Sequence, residues 1–503
     1  MRILYLDLDA LSPKHLSCYG YPRPTSPTID RLAAEGVRFE RVYCSDAPCL
    51  PSRTAFYQGQ FGIHTGVVGH GGTAADMKIQ GRLRGVKSRS ETEALPHQLQ
   101  RLGYRTTMIS PFGQRHAAHH IYAGYSEFHS TGRDGRESTH HVMPVVRDWL
   151  ERRGRDDDWY LHVNFWDIHT PYRVPIEYGN PFEHLPLGPT VSDRQLADHI
   201  RRGGPHSAQD LRMYRDNDPD QHPRLPRRIT DRTTLKQWID AYDTTIRYVD
   251  DAIAELLAQL EAAGIYQDTA VIVSADHGEC QGHLGLYGEH GTADDATCHI
   301  PLIVKWPGGM AGATDGGFRY HLDWAPTLLE LLGGAAQTPE AWDGASFAAA
   351  VRGDETVGRD HLVLSQCAHV CQRSVRFEAE DRQWIYLRTY HDGFHPFSPH
   401  MLFDLSHDPF EQRDRSADRA DLVQRASFLL AEWHARQMTK MAGRGEDVVD
   451  PLWTVMQEGG PMNARLSAPG QPGSPQAFAA YLEKLEATGR CEAADDLRRR
   501  YPV

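Results

Sequence analysis

The sequence predicts an α/β fold: a large, mixed, mainly parallel sheet flanked by helices, with a smaller C-terminal α+β subdomain. Three observations carry that expectation. Strand-like and helix-like patterns alternate through roughly the first two thirds of the chain. After about residue 380 the pattern changes to short alternating strands followed by a helix. At 503 residues and 56.7 kDa, the chain is long enough for more than one core.

The elements follow in order. Arg2 to Asp9 is an apolar strand with acidic residues at its end. Thr28 to Gly36 reads as a helix and Val37 to Tyr43 as a strand. Ser52 to Gly59 is helical, with Pro51 suited to a first turn. Thr92 to Leu102 is a helix stopped by Gly103. Tyr104 to Ser110 and Trp159 to Asp167 are buried strands. Gly179 to Thr230, rich in Pro, Arg and Asp with little periodicity, reads as a long insertion that shapes a site. Thr233 to Ala263 has strong helical periodicity. Thr269 to Ala275 and Ile300 to Trp306 are strands, and Asp323 to Leu332 is a helix. Arg382 to Tyr390 and His400 to Leu405 are short strands before a helix over Asp421 to Gln437. A Gly/Pro-containing tail from Met441 ends in a helix near Pro475 to Arg499, a candidate surface for a homo-oligomer. The expected domains are residues 1–375, 376–440 and 441–503.

A formal net charge of −13 argues against nonspecific binding to nucleic acid or an anionic membrane. It leaves an anionic substrate open, because the field in a site differs from the net field. No apolar run approaches membrane-spanning length. The chain opens on a strand, which reads as lacking a signal peptide. Eight cysteines without regular spacing read as cytosolic thiols, so cytoplasmic placement is expected.

The most informative stretch is Cys49-Leu50-Pro51-Ser52-Arg53, preceded by Pro24-Thr25-Ser26-Pro27-Thr28 and followed by Gly59-Gln60. Asp276-His277-Gly278-Glu279 ends the strand before it, and Asp167-Ile168-His169-Thr170-Pro171-Tyr172 ends another. Open α/β sheets bind ligands at the carboxyl ends of their strands, so these motifs and Asp7 and Asp9 converge there. Together they resemble the type I sulfatases of the alkaline-phosphatase superfamily. Leu402-Phe403-Asp404-Leu405 leading into Asp408-Pro409-Phe410-Glu411 resembles that family's C-terminal signature.

The resemblance implies hydrolysis of a sulfate ester of a small anionic molecule. In the family a separate formylglycine-generating enzyme oxidises the motif Cys, here Cys49, and that enzyme is the implied partner. The chemistry suits the choice. A thiol attacks well but retains the sulfate, whereas a hydrated aldehyde attacks with one hydroxyl and expels sulfate when the other loses its proton. Arg53 is expected to hold the alkoxide or sulfate oxygens. The implied metal ligands are Asp9, Asp276, His277 and the converted Cys49, with Asp7 either a ligand or a buried hydrogen-bonded carboxylate. Calcium is the first expectation for the ion, with manganese and magnesium as alternatives. His169 is expected to protonate the leaving oxygen.

The sequence departs from the family at three points. Ala10 stands where a second acidic residue is usual. Ser110-Pro111-Phe112-Gly113-Gln114-Arg115-His116 replaces a Gly-Lys-Trp-His run, leaving Arg115 and His116 as substitute donors. Glu289 replaces a Lys, with His290 expected to take the place of that Lys in catalysis; His283 reads as structural, and His64 and His70 as pocket residues. Losing fixed positive charge admits a second reading, a phosphonate monoester or phosphodiester hydrolase. A third is a catalytically inactive binding protein.

Overall fold

The structure is a computed structural model that describes residues 1–80, 89–133, 136–354, 356–461 and 474–502. The strands of the first part are β1 (Arg2–Leu8), β2 (Val37–Tyr43), β3 (Asp46–Ala47), β4 (Arg105–Ile109), β5 (Glu127–His129), β6 (Trp159–Phe165), β7 (Thr269–Ser274), β8 (Cys280–Gln281), β9 (Tyr287–Glu289), β10 (His299–Lys305) and β11 (Ala313–Tyr320). They are followed by β12 (His361–Gln366), β13 (Cys371–Ala379), β14 (Arg382–His391) and β15 (His400–Asp404). Eight of them form one sheet in the order β11-β2-β10-β7-β1-β6-β4-β5. Only β10 runs against its neighbours in that sheet, so the sheet is mixed and mainly parallel.

The middle strands β1, β6 and β7 are buried along nearly their whole length. This explains their continuous apolar runs, since helices cover both faces. The 31-residue helix Arg232–Ala262 is the longest cover, capped by Asp231 on the Thr234 amide. No helix among the described residues is long and apolar enough to cross a membrane.

A second sheet, β15-β14-β13-β12-β3, carries the C-terminal part. Its first contiguous strand begins at His361, and β13 spans Cys371–Ala379, so a boundary at residue 375 would cut a strand. β3 joins this sheet to the nucleophile region, because Asp46–Ala47 pairs with β12 just before Cys49. Glu411 of the Asp-Pro-Phe-Glu motif is buried and accepts a bond from the Asp295 amide at 3.0 Å, tying the two parts together.

Three expectations change. The helix expected over 92–102 is two helices, Ser90–Glu93 and Leu95–Arg101. Pro96 lacks the N–H an uninterrupted helix needs, and it is tolerated here in a first turn. The final helix is also two, Pro475–Ala487 and Cys491–Arg500, parted around Gly489 at φ 76°. Finally, this tail packs on its own chain. Tyr481, Leu482 and Leu485 join Tyr214 and Phe394 in one apolar cluster. Asp210 of the insertion is ion-paired to Lys484 at 2.7 Å and Arg490 at 2.6 Å.

Candidate active site

β7, β1 and β6 are adjacent and parallel, so their carboxyl ends deliver Asp276, Asp9 and His169 to one place. Cys49 is the first residue of the helix Cys49–Gln58. Ser52, one turn on, donates its hydroxyl to the Asp276 carbonyl at 2.5 Å, pinning the helix start to the end of β7. Single donor atoms of Asp9, Cys49, Asp276 and His277 lie within 4.8 Å of one another, all buried. Cys49 also forms such a group with His169 and His290.

The floor of the site carries more negative than positive charge. Arg53 bonds Asp7, lies 3.1 Å from Asp9 Oδ2 and 3.1 Å from Asp276 Oδ2, and is buried. Against the cost of burial, Asp276, Asp7 and Asp9 hold its guanidinium charged. Its expected part in gripping sulfate is therefore not what its contacts show; it neutralises carboxylates. Burial, then the charge of Asp276, pushes Asp9 up to about 6. Asp9 Oδ1 is buried without a hydrogen bond among the described residues, and Asp276 Oδ2 has only its ion pair with Arg53. His277 donates Nδ1–H to the Gly278 carbonyl at 2.8 Å. That turns Nε2 toward Cys49 Sγ at 3.1 Å. One unpartnered carboxylate oxygen, a second held only by Arg53, and one oriented imidazole fit a divalent cation. Asp7 lies outside this group, spent on Arg53 and on His162 Nε2 at 3.0 Å. Ala10 contributes its amide, which bonds Asp276 Oδ1 at 3.2 Å.

Around the nucleophile the side chains are cations and imidazoles. Arg115 packs over Trp166 at 4.9 Å, with one guanidinium nitrogen buried and unbonded. His116 stacks on Phe112 and lies beside His70, with ring centroids 4.8 and 4.6 Å away. His70 Nε2 reaches the Leu50 amide at 3.4 Å. His290 stacks on His277 at 4.3 Å and meets His169 at 4.8 Å. Burial, reinforced by Arg115 and His290, holds His169 well below the usual imidazole range. His169 is thus neutral, with Nδ1–H donated to the Thr170 carbonyl at 2.7 Å. As a proton donor it must first be protonated, which an approaching anion favours.

Two other positions resolve differently from the sequence reading. Glu289, in place of the family Lys, is held by His369 at 2.9 Å and His206 at 3.1 Å. Against burial, these imidazoles keep it well below the carboxylate range, so its charge is locally matched. His64 is remote from this group. It pairs with Asp343 at 2.5 Å and contacts the Gln437 carbonyl at 3.3 Å, fastening the helix Ala420–Gly443 to the catalytic part.

Outside His169 opens a cavity of about 990 Å³. Its wall includes Arg115, Arg173, Arg212 and Tyr214, and the helix Pro475–Ala487 closes it with Tyr481 and Lys484. The sequence reading missed Arg173, Arg212 and Lys484, which lie in no motif. It also missed Glu279, although that residue stands in the Asp-His-Gly-Glu run. Glu279 accepts from Tyr172 at 2.5 Å, and its other oxygen is 3.6 Å from His290.

A site of buried carboxylates, imidazoles and a cysteine lies at the strand ends of a mainly parallel sheet, where α/β enzymes place their active sites. A family model described as Sulfatase matches residues 2–335, and the chain belongs to that family. It is 25% identical over 460 residues to a choline-sulfatase of Rhizobium meliloti (strain 1021), covering 81% of this chain and 82% of that one. It is 23% identical over 363 residues to an arylsulfatase of Hemicentrotus pulcherrimus, covering 69% of this chain and 61% of the relative. Its fold is similar to that of a protein solved in complex with its substrate D-glucosamine-2-N,6-O-disulfate, with TM-score 0.69 and 18% identity over 86% of this chain and 97% of that one. It is also similar to a phosphonate monoester hydrolase from Silicibacter pomeroyi, with TM-score 0.65 and 18% identity over 86% and 95%.

Proposed function

We propose that this chain hydrolyses a sulfate ester, with Cys49 converted to formylglycine as the source of the nucleophile and a divalent cation held by Asp9, Asp276 and His277. The convergence of Cys49 with those three side chains, within 4.8 Å, carries the reading. Burial, then Asp9 and Asp276, pushes the Cys49 thiol well up. Cysteines that attack as thiolates need the opposite environment, so conversion to formylglycine is what makes this position chemically competent. Cys49 is 1% exposed, which favours conversion by a formylglycine-generating enzyme before the chain folds.

The cation, when bound, supplies Lewis-acid stabilisation of developing negative charge. The imidazole of His277 in the donor set moves the preference from calcium to manganese. The chain's own residues divide the remaining tasks. Arg53 keeps the carboxylate floor assembled. Arg115, His116 and His70 receive the anionic ester group, replacing the family lysines. His169 and His290, once protonated by the arrival of that anion, give a proton to the departing oxygen. Glu279, kept well above the usual carboxylate range chiefly by burial, lies beside His290 as a proton source. The eight cysteines, none in a disulfide, fit a reducing compartment such as the cytoplasm.

The missing lysines favour one alternative on the same machinery, a phosphonate monoester or phosphodiester substrate. The test is peptide mass spectrometry of Cys49 after co-expression with a formylglycine-generating enzyme, paired with turnover of aryl sulfate and aryl phosphonate. Formylglycine with aryl sulfate as the better substrate, and no turnover in Cys49→Ala, is the expected result. A better aryl phosphonate substrate selects the alternative. An unmodified thiol with neither ester cleaved refutes both readings and leaves a binding protein.

A further inference from the structure

The arginines of the outer cavity are not explained by a single ester group. Arg212 comes from the insertion and is half-buried, and among the described residues its side chain makes no hydrogen bond or ion pair. Burial holds it below the ordinary guanidinium range. Arg173 is likewise half-buried and without a carboxylate partner; its one side-chain bond goes to the Trp166 carbonyl at 3.1 Å. Burial, then the charge of Arg115, holds Arg173 below the ordinary guanidinium range, with Asp167 and Asp9 offsetting part of this and Arg212 adding to it. Of the two acids of the same wall, one is ion-paired and the other is exposed. Asp216 pairs with Arg228 at 2.7 Å and Lys484 at 2.9 Å. Asp218 is exposed and accepts the Asp220 amide at 3.1 Å. Like charges half-removed from water and left unpaired are costly unless a ligand of opposite sign completes them.

We propose that Arg173 and Arg212 form a second anion subsite, so that the substrate is a small ester carrying a further anionic group, sulfuryl, phosphoryl or carboxylate, away from the bond that is cleaved. This rests on the ester-hydrolase reading above and names its substrate class. The reacting group belongs against Cys49, with Arg115 and His169. Arg212 lines the same cavity as Tyr481 and Lys484 of the helix Pro475–Ala487. A volume of about 990 Å³ leaves room for a ligand much larger than one sulfate. Tyr214 and Tyr481 offer apolar faces for the body of that ligand, while the guanidinium forks suit planar or tetrahedral oxyanions. Arg173 and Arg212 lie within the matched residues 2–335, and the wall residues Tyr481 and Lys484 lie beyond them.

The experiment is titration calorimetry on full-length Cys49→Ala, which needs no formylglycine. The probes are benzenesulfonate, benzene-1,3-disulfonate and 3-sulfobenzoate at one ionic strength. At least one dianion is expected to bind about tenfold tighter than benzenesulfonate, and the tighter of the two identifies the preferred second group. Arg212→Gln is expected to bring that ratio close to one, and Arg212→Lys to restore part of it. Because Arg212 makes no side-chain bond within the described fold, an unchanged melting temperature in Arg212→Gln assigns the loss to binding. Arg173→Gln is the second variant and should act in the same direction. Equal affinity for all three probes overturns the proposal. So does a dianion preference that survives both glutamine variants. Dianion preference in a protein that cleaves neither aryl ester counts against the hydrolase reading alone, and aryl ester turnover without dianion preference counts against the subsite alone.

Discussion

The floor beneath Cys49 and the cavity beyond His169 share a border and have opposite charge. In the floor, Asp7, Asp9 and Asp276 surround Arg53, and Asp9 Oδ1 stays unbonded. In the cavity, Arg115, Arg173 and Arg212 share a wall with Asp216, already paired elsewhere, and with exposed Asp218. The floor is set by strand ends and the start of one helix, parts that a sheet fixes closely. The cavity is set by the insertion and the tail, held together through Asp210. The difference teaches how an acidic chain handles an anion. In the proposed reading a cation completes the floor and the substrate completes the cavity, and neither depends on the net charge.

The contrast is broken most completely at its centre. Cys49→Ala is expected to take aryl ester turnover to background, read with the converted wild type as reference. Asp9→Asn and Asp276→Asn should each lower turnover by more than about 100-fold and reduce bound manganese, counted by elemental analysis of the purified protein. On the cationic side, Arg115→Ala should lower kcat/KM by about 100-fold, the cost of losing one preorganised donor, while Arg115→Lys recovers part. If the alanine variant changes only KM, Arg115 binds the ground state and the transition state alike.

The scaffolding of each side gives smaller effects. Asp210→Asn leaves buried Arg490 without its partner and is expected to cost about 3 kcal/mol, with faster hydrogen exchange over residues 475–487. His64→Ala should cost about 1–3 kcal/mol of stability, measured by denaturant unfolding. Asp343 sharpens that result through pH. Against burial, its bond to His64 and the charge of Lys440 hold it below the usual carboxylate range. Its contribution is therefore present above about pH 4 and is lost as pH falls through the depressed value. Asp343→Asn should flatten that acid limb of the stability curve; an unchanged limb would mean other carboxylates carry it.

Much of the floor was legible in the sequence because its residues stand in short motifs next to recognisable strands. Asp9 follows an apolar run, Asp276-His277 another, and Cys49 opens a helix marked by Pro51. Asp7 illustrates the limit. Its alternation with Asp9 places both on one face, but only the packing of His162 and Arg53 turns it away from the metal group. His64 was misleading for the same reason, since proximity to the nucleophile helix in sequence says nothing of which way a buried side chain faces. Missed elements such as the helix Thr139–Arg153 and strand β11, with Pro144 or paired glycines inside, lack a clean local period. They form because tertiary burial overrides weak propensity.

By itself the sequence determined the α/β class, the family resemblance and the set of groups at the strand ends, because periodicity and motif spacing are local and a parallel sheet carries its strand ends to one edge. Only the tertiary structure decided which carboxylates lack partners, where Glu289 and His64 spend their charge, and that Arg173 and Arg212 meet Lys484 across one cavity. Those facts depend on contacts between segments hundreds of residues apart, and on the burial that makes an unpaired charge costly, neither of which has a signature along the chain.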